Sequence, residues 1–213
     1  MAAVTRFCLV RHGETDWNAE RRIQGHADID LNAAGEAQAR ALRPGLAGRQ
    51  FSAVYASDLV RALRTATLAT QDLGLPVVQP LACLRERHFG IYQGLTGEEA
   101  LARHPEVHHH HGARSLDWDY DTGESLREFA ARVTSGLATL AGRHLGGTLL
   151  VFTHGGVLDI VYRAATGRDI SAPRDFLVPN AALNWLEYRH DRWHLLSWGD
   201  LRHLEQALDE VVG

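Results

Sequence analysis

Short apolar runs alternate with helical patterns along this chain, and only a few folds accommodate such an alternation. Three of the runs, at residues 5–11, 52–57 and 147–154, have the length and composition of buried strands. Strands separated by helices predict an α/β fold with a parallel or mostly parallel sheet that is covered on both faces. No internal repeat and no linker-like segment divides the chain, so we expect a single domain over residues 1–213.

Three segments carry the spacing of amphipathic helices. Residues 32–46 are rich in alanine, and Asn32 suits the N-cap position. Apolar residues recur every three or four positions over 58–73, where Ser57 is the expected N-cap, and again from Leu126 onward. These patterns predict helices that pack against the sheet.

The C-terminal part of the chain carries a hairpin pattern. The segments "ALNWLEY" and "WHLLSW" flank a turn-like "RHDR", and a last helix is predicted over 200–211. A hairpin joined to a parallel sheet predicts an antiparallel strand at one edge. By contrast, the polar stretch 103–124, which contains the run from His108 to His111, is expected to form a loop or insertion.

Composition and charge exclude several functional classes. Hydrophobic residues make up 45% of the chain, the net charge is -4, and no apolar run approaches the roughly 20 residues of a membrane span. We therefore expect neither a membrane nor nucleic acid as a partner. Cys8 and Cys83 lie far apart in apolar contexts and are expected to be reduced, and no secretory signal pattern is present, so we expect a cytoplasmic protein.

The chain contains no lysine, since all 22 of its basic residues are arginines. A Walker-type phosphate loop requires a Gly-Lys pair, and Schiff-base chemistry requires a lysine amine, so both are excluded. If this protein binds an anion, arginine and histidine side chains must bind it.

Basic and imidazole side chains stand at the ends of the three predicted strands. Arg11 and His12 end the first strand, Arg61 lies in the first helical turn after the second, and His154 ends the third. Because the carboxyl ends of parallel strands meet at one edge of a sheet, these side chains are expected to converge. Two histidines, two arginines and helix N-termini suit a phosphate dianion.

Each of these residues also has a plainer interpretation. A single histidine at a strand end is usually a surface residue, and an arginine on a helix is usually solvated. The phosphate interpretation gains weight because three strand ends require it independently. Neutral His12 would then suit the nucleophile. Glu86 is the candidate proton donor, although an ordinary surface ion pair is the simpler interpretation of that segment alone.

Four segments together resemble the motifs of a known family. They are "LVRHGETDWN", "SDLVRALRTA", "LRERHFGIYQGL" and "VFTHGG", in that order over nearly the whole chain. The chain resembles the histidine phosphatase superfamily, also called the phosphoglycerate mutase-like family. The resemblance implies a three-layer α/β/α sandwich, whose mostly parallel central sheet has an antiparallel edge strand. It also implies a loop or helical insertion around 90–125 that covers the active site.

The resemblance implies roles for individual residues. His12 would be the phosphorylated nucleophile, and Glu86 the proton donor that later activates water. Arg11, Arg61 and His154 would hold the phosphoryl oxygens. No metal or other cofactor would be required, because arginines supply the positive charge that magnesium supplies in a kinase.

Further residues are expected to line the site of a small phosphorylated substrate. Asn18 matches a position that helps to hold the phosphate, and Gln24 and Gly25 match the loop on the substrate side. The remaining substrate-binding candidates are Arg85, Arg87, Tyr92 and Gly155. A second anionic group on the substrate could meet a wider set, namely Arg21, Arg22, His26, Arg87, Tyr92 and Arg114.

The chain combines features of phosphatases and of cofactor-dependent phosphoglycerate mutases, which would need 2,3-bisphosphoglycerate as a primer. "RERHFGIYQGL" resembles the mutases, but their lysine and their Arg-Arg pair are missing, and Gly-Glu-Ser at 123–125 is phosphatase-like. A weaker cationic grip favours water as the phosphoryl acceptor. We therefore expect a phosphomonoester hydrolase, with the mutase as the alternative.

Two interpretations from another class remain. The run from His108 to His111 could bind a transition metal, although consecutive residues in a loop cannot all face one ion, so a solvated loop is the simpler expectation. A non-catalytic binder of phosphorylated ligands would usually lack a core site residue, and here all five are present. We expect a monomer or a homodimer, for which the strand "ALNWLEY" would offer a sheet edge.

Overall fold

A six-stranded mixed sheet forms the centre of the fold. The computed structural model describes residues 4–204, apart from the side chains of residues 107 and 108. The strands are β1 (Thr5–Arg11), β2 (Ala53–Ala56), β3 (Val78–Pro80), β4 (Thr148–Thr153), β5 (Leu183–Arg189) and β6 (Arg192–Asp200). They lie in the order β3-β2-β4-β1-β5-β6. The first four in that order are parallel, whereas β5 pairs antiparallel with β1 and β6. The predicted mostly parallel sheet is confirmed.

Helices cover both faces of this sheet. They are α1 (Asp16–Ala19), α2 (Ala33–Leu46), α3 (Val60–Thr70), α4 (Gly97–Arg103), α5 (Pro105–Gly112), α6 (Leu126–Arg143) and α7 (Gly155–Thr166). On one face, Phe7 and Leu9 of β1 pack against apolar residues of α6 and α7. On the other, Cys8 and Val10 pack against α2 and α3. The alternation of side chains along β1 thus builds two cores, and the predicted three-layer sandwich is confirmed.

Two of the predicted helix starts have different outcomes. Asn32 caps α2 as predicted, since its Oδ1 accepts a hydrogen bond from the Gly35 N–H at 2.8 Å. The prediction of Ser57 as the cap of α3 is wrong, because the helix begins at Val60 and the N–H of Val60 donates to Asp28 Oδ1 at 2.7 Å. A carboxylate from a distant loop therefore caps α3, and local sequence cannot show such a contact.

Residues 90–125, which we call the lid segment, contain more regular structure than their polarity suggests. The predicted loop or insertion over 103–124 contains the helix α5, which begins at Pro105. A capping box at Thr96 starts α4, and Ala100 of this helix packs in a small apolar cluster with Tyr92, Leu95 and Tyr120. Two short 3-10 helices, Ala82–Leu84 and Gly90–Tyr92, lead into the lid segment.

The histidine run lies on α5 rather than in a solvated loop. The His110 ring stacks on Trp118 with a centroid distance of 4.4 Å, and its Nδ1 lies 3.0 Å from Ser115 Oγ. His111 Nδ1 lies 2.7 Å from the hydroxyl of Tyr120. The expectation of a solvated loop is therefore wrong for these two histidines, since their rings pack within the lid segment.

The predicted C-terminal hairpin is confirmed as β5 and β6, with a turn at His190 and Asp191. We expected the segment "ALNWLEY" to offer a free sheet edge, but it forms β5, which lies between β1 and β6 in the sheet. Residues 202–204 are helical, and the rest of the predicted last helix lies outside the described residues. Cys8 and Cys83 are free thiols. Within the described part of the chain, no helix has the length and apolar character needed to cross a membrane.

Candidate active site

His12 lies directly after β1 and is held as a neutral imidazole. Its side chain is almost fully buried, and its Nδ1 lies 2.7 Å from the carbonyl oxygen of Gly13. Because a carbonyl only accepts, Nδ1 carries the hydrogen and Nε2 carries the lone pair. Burial, followed by the charges of Arg61 and Arg11, holds the pKa of His12 well below its usual range. The free Nε2 is therefore an available nucleophile at neutral pH.

The glycine after His12 is required by close packing. A Cβ at Gly13 would lie 2.4 Å from the carbonyl oxygen of Gly35 at the start of α2. The Gly13 N–H also donates to Thr65 Oγ1 at 2.9 Å, and that hydroxyl donates to the Arg61 carbonyl at 2.7 Å. The His-Gly pair is thus fixed between α2 and α3, which also fixes the imidazole.

Two guanidinium groups with buried Nε atoms flank His12, and no ion pair to a carboxylate is described for either. Arg61 is fully buried, and its Nη atoms donate to the Ala27 and Gly25 carbonyls at 2.9 and 2.7 Å. Arg11 Nη1 donates to the Val178 carbonyl at 2.6 Å. Among the described contacts, neither Nε has a hydrogen-bond partner. Burial lowers the pKa of Arg61 to about 10, so the group stays charged at neutral pH. Unpaired buried N–H groups of this kind are suited to an anionic ligand.

His154 stands beside His12 at the start of α7. The two ring centroids are 5.2 Å apart. The His154 ring is completely buried, and neither of its nitrogens has a hydrogen-bond partner within the described structure. Burial, and then the neighbouring Arg61, keeps the pKa of His154 well below its usual range. Such an unsatisfied buried ring is costly unless a ligand oxygen completes its contacts.

The Glu86 carboxylate reaches the same site from the loop after β3. Its Oε2 accepts from the Gly156 N–H at 2.8 Å, and its Oε1 accepts from the Arg87 N–H at 2.8 Å. A Cβ at Gly156 would lie 2.0 Å from Glu86 Oε1. Gly156 therefore makes room for this carboxylate, which is held against the first turn of α7.

These groups surround a cavity of about 320 Å³, which we call the phosphate pocket. Its lining includes eight of the predicted residues, namely Arg11, His12, Asn18, Gln24, Gly25, Arg61, Glu86 and Gly155. His154 is not part of that lining and lies behind it, next to His12. The pocket thus combines a neutral imidazole, two guanidinium groups with unpaired Nε atoms and the carboxylate of Glu86.

Comparison with known proteins agrees with this geometry. Residues 7–201 match the family model described as "Histidine phosphatase superfamily (branch 1)". This chain belongs to the histidine phosphatase superfamily. The membership places the protein among enzymes with phosphatase activity on small phosphorylated metabolites. The four segments that resembled this family's motifs lie within the matched residues.

Individual relatives cover nearly the whole histidine phosphatase chain. It is 40% identical over 202 residues to Phosphoglycerate mutase-like protein 4 of Arabidopsis thaliana, with 93% of this chain and 86% of the relative covered. It is 38% identical over 206 residues to Metal-independent phosphoserine phosphatase of Arabidopsis thaliana, with 96% and 85% covered. The solved structure of Bacillus stearothermophilus YhfR has a TM-score of 0.86 at 30% identity and covers 94% of this chain and 99% of its own. Relatives bearing both phosphatase and mutase-like names therefore share the fold.

The glutamate of the Gly-Glu-Ser segment and an arginine of α6 brace the loop of this histidine phosphatase that carries Glu86. Arg132 Nη1 donates to the Cys83 and Arg85 carbonyls at 3.0 Å each, and its Nη2 donates to the Glu86 carbonyl at 3.1 Å. Both carboxylate oxygens of Glu124 accept from Arg132 at 2.7 Å. Sequence reasoning missed this brace, because the residues contact the loop from a different part of the chain.

Three predicted substrate-side residues lie at the phosphate pocket. Asn18 uses its Oδ1 to accept from the Thr15 N–H at 3.2 Å, which leaves its NH₂ group as a donor. The Gln24 Oε1 is buried without a described partner. Gly25 has a positive φ of 54°, and its carbonyl anchors Arg61. Gly25 therefore acts on the site through the arginine.

Three other predicted contacts differ from expectation. Tyr92 is fully buried in the apolar cluster of the lid segment and is not part of the pocket lining. Arg85 forms a two-bond ion pair with Asp58 at 2.7 and 2.6 Å and is not part of the pocket lining. Arg87 lines a neighbouring cavity, where it donates to the carbonyls of Glu124 and Trp118. Arg85 is therefore held by Asp58 outside the phosphate pocket.

The candidates for a second anionic group are also separated. Arg22 lines the phosphate pocket but pairs with Glu20 and Glu99. His26 Nε2 lies 2.8 Å from the Glu86 carbonyl oxygen. Arg21 is exposed and outside the lining, whereas Arg114 lines the neighbouring cavity. A residue that the sequence did not indicate, Arg174, lines both cavities.

The donor set fits a phosphate site better than a metal site. Among the side chains that the structure describes, no three of His, Cys, Asp and Glu are grouped so that they could hold one ion. The two histidines of α5 whose contacts are described use Nδ1 towards Ser115 and Tyr120. The interpretation of that run as a metal site therefore gains no support from these contacts.

Proposed function

We propose that this histidine phosphatase hydrolyses a small phosphomonoester through a phosphohistidine formed on His12. The observation that carries the proposal is a buried neutral imidazole with a free Nε2, set beside two buried guanidinium groups whose Nε atoms are unpaired. These groups provide the nucleophile and the charge that phosphoryl transfer requires. The metal-independent relative supports a reaction that needs no metal ion.

In the first step, the phosphoryl oxygens bind Arg11, Arg61 and His154, and His12 Nε2 attacks phosphorus. The N–P bond forms while the P–O bond to the leaving group breaks, and the carboxylic acid form of Glu86 gives its proton to the leaving oxygen. The product alcohol departs, and the phosphoryl group stays on His12. The fixed Gly156 and Arg87 N–H groups keep the Glu86 carboxylate at the pocket throughout.

In the second step, the Glu86 carboxylate takes a proton from water while the oxygen of that water attacks phosphorus. The N–P bond breaks, inorganic phosphate leaves, and the neutral imidazole is restored. Water is favoured as the acceptor because a mutase must also hold the second phosphate of its bisphosphate intermediate. Arg114, one of two arginines between residues 95 and 126, is tied to Asp159 and to the Ile170 carbonyl, and the other, Arg103, is exposed.

A phosphoglycerate mutase is the second candidate, favoured by the 40% identity to a mutase-like relative. A phosphorus NMR time course separates the two reactions. The purified protein is incubated with 3-phosphoglycerate and a trace of 2,3-bisphosphoglycerate, and a parallel sample contains phosphoserine. Growth of inorganic phosphate is the expected result. Growth of 2-phosphoglycerate without inorganic phosphate would establish the mutase.

A further inference from the structure

A second cavity adjoins the phosphate pocket on the side of the proton donor. Its volume is about 170 Å³, and it shares Glu86, Phe89, Gly156 and Arg174 with the phosphate pocket. Under the proposed function, Glu86 meets the leaving oxygen of the substrate. The part of the substrate beyond that oxygen therefore extends past Glu86 into the second cavity.

A buried carboxylate organises the arginines around this cavity. Asp159 of α7 is 2% exposed. Its Oδ2 accepts from Arg114 Nη2 at 2.7 Å and from Arg163 Nε at 3.1 Å, and its Oδ1 accepts from Arg174 Nε at 2.9 Å. Burial alone would raise the pKa of Asp159, but the surrounding arginines hold it below its usual range. One carboxylate thus faces three guanidinium groups, which leaves positive charge to spare.

Arg174 is the arginine best placed to use that charge on a ligand. Its side chain is 40% exposed, and its Nε is the one atom for which the structure describes a hydrogen bond. The Asp159 contact fixes the orientation of the guanidinium and leaves both Nη groups available. After burial and Glu86, the charge of Arg174 is the next influence on the pKa of Arg11, which it lowers. Arg174 therefore lies close to the arginines of the phosphate pocket as well as to the second cavity.

We propose that Arg174, oriented by Asp159, is a specificity-determining residue that binds a carboxylate on the leaving-group part of the substrate. The proposal rests on the proposed function and names its substrate class, which is a small phosphomonoester with a carboxylate a few atoms from the ester oxygen. Arg114 is held on the same carboxylate of Asp159, so it helps to fix that carboxylate in place.

Charge and size both favour a carboxylate as the occupant. The lining of the second cavity contains three arginines, Arg87, Arg114 and Arg174, but only Asp159 and the proton donor Glu86 as acidic groups, so the lining carries net positive charge. An anionic group such as a carboxylate is therefore favoured over a neutral one. The cavity is also smaller than the roughly 300–1,000 Å³ of typical small-molecule sites, which excludes a bulky base or sugar chain from it. Phe89, Leu126 and Phe129 supply apolar walls for a short carbon spacer.

The test compares two ligands that differ at one group. 3-Phosphoglycerate carries a carboxylate where glycerol 1-phosphate carries a hydroxymethyl group. Their Kd values are measured by calorimetry on full-length His12→Ala protein, which cannot turn them over, with and without Arg174→Ala. The matched control is Arg168→Ala. Arg168 lies in the same loop as Arg174, but it pairs with Asp175 and lines neither cavity.

We expect Arg174→Ala to weaken 3-phosphoglycerate binding about 10- to 100-fold more than glycerol 1-phosphate binding, as for the loss of a charge-assisted hydrogen bond. Arg168→Ala should leave the ratio of the two Kd values unchanged. If Arg174→Ala weakened the binding of both ligands equally, Arg174 would contact the phosphate rather than the carboxylate, and the proposal would be overturned. No change for either ligand, or no binding of either, would overturn it as well.

Turnover distinguishes this proposal from the proposed function. In the chain with His12 intact, Arg174→Ala should raise KM for 3-phosphoglycerate hydrolysis more than it changes kcat, because the carboxylate contact is the same in the ground and transition states. If the binding ratio depends on Arg174 but no ester is hydrolysed, the subsite stands and the proposed function fails. If esters are hydrolysed at rates that do not depend on the carboxylate, the proposed function stands and the subsite at Arg174 is overturned.

Discussion

The two sides of the substrate site hold their arginines in different ways. On the phosphate side, Arg11 and Arg61 are anchored by backbone carbonyls, and each keeps an unpaired buried Nε. On the side of the lid segment, several arginines are paired with carboxylates, as in Arg85 with Asp58 and Arg132 with Glu124, whereas Arg87 is anchored by the Glu124 and Trp118 carbonyls. A carbonyl fixes the position of a guanidinium without neutralising it. The difference therefore separates guanidinium groups whose charge no described carboxylate contact balances from groups whose charge is at least partly balanced within the protein.

His12 is the residue on which the phosphate side depends most. His12→Ala should lower kcat for any phosphomonoester by about 10⁴-fold or more, because it removes the atom that forms the covalent intermediate. Initial rates with p-nitrophenyl phosphate measure the loss, and the thermal unfolding midpoint checks that the fold is kept. His109→Ala is the control, since that histidine is exposed on α5. Substantial activity in His12→Ala would overturn the assignment of the nucleophile.

Two arginines on α3 test the distinction between a guanidinium anchored by carbonyls and one paired with a carboxylate. Arg61 is buried and anchored by carbonyls, whereas Arg64 lies one turn later and pairs with Glu36 at the surface. Arg61→Lys should lower kcat/KM by about 10²- to 10³-fold, because a lysine cannot reproduce the fork of the guanidinium. Arg64→Lys should stay within about threefold of the unchanged protein. Similar losses in both variants would show that anchoring by carbonyls does not identify a ligand-binding arginine.

On the other side, Arg132 tests whether a carboxylate-paired arginine acts by positioning Glu86. Arg132→Gln should lower kcat for an alkyl phosphate about tenfold with little change in KM, because the loop carrying the proton donor loosens. The effect on p-nitrophenyl phosphate should be smaller, since nitrophenolate leaves with little help from an acid. Arg127→Gln is the control, as Arg127 forms an exposed pair with Asp117. Equal losses for both esters would assign Arg132 a purely structural role.

The same contrast explains which site residues could be predicted from the sequence. His12 and His154 follow two strands, and Arg61 opens a helix after a third, so topology alone brings them to one edge of the sheet. Arg132 and Arg174 reach the site from a helix and a loop, through contacts that depend on how those elements pack. Their sequence surroundings are those of ordinary surface arginines. Tertiary contacts decide their roles, and no local pattern records such contacts.

Much of the fold was predictable for a related reason. Strand and helix periods are local, so β1, β2, β4, the C-terminal hairpin and the helices α2, α3 and α6 could be recognised from the sequence, whereas β3 and α7 were not predicted. The start of α3 could not, because Asp28 caps it from another loop. The helix α5 could not be recognised either, since two of its histidines, His110 and His111, form side-chain contacts with Ser115 and Tyr120, which lie beyond the end of the helix. Polar segments that are stabilised by neighbouring side chains resemble loops when read alone.

The smallest expected effect concerns the proton on His12. Burial and the charges of Arg61 and Arg11 disfavour the imidazolium, so the pKa of His12 should lie below 6.5 when the side chain is titrated by NMR. His12 then stays neutral, and so nucleophilic, as the pH falls through 6.5. Arg61→Gln should move the midpoint upward because it removes one positive charge, and saturating inorganic phosphate should do the same because it adds negative charge. Arg64→Gln should leave the midpoint in place, since that charge is paired with Glu36 at the surface. A His12 midpoint at or above 6.5 in the free protein, or one that ignores Arg61, would show that the unpaired guanidinium groups do not control the nucleophile, and the contrast between the two sides of the site would then be one of geometry alone.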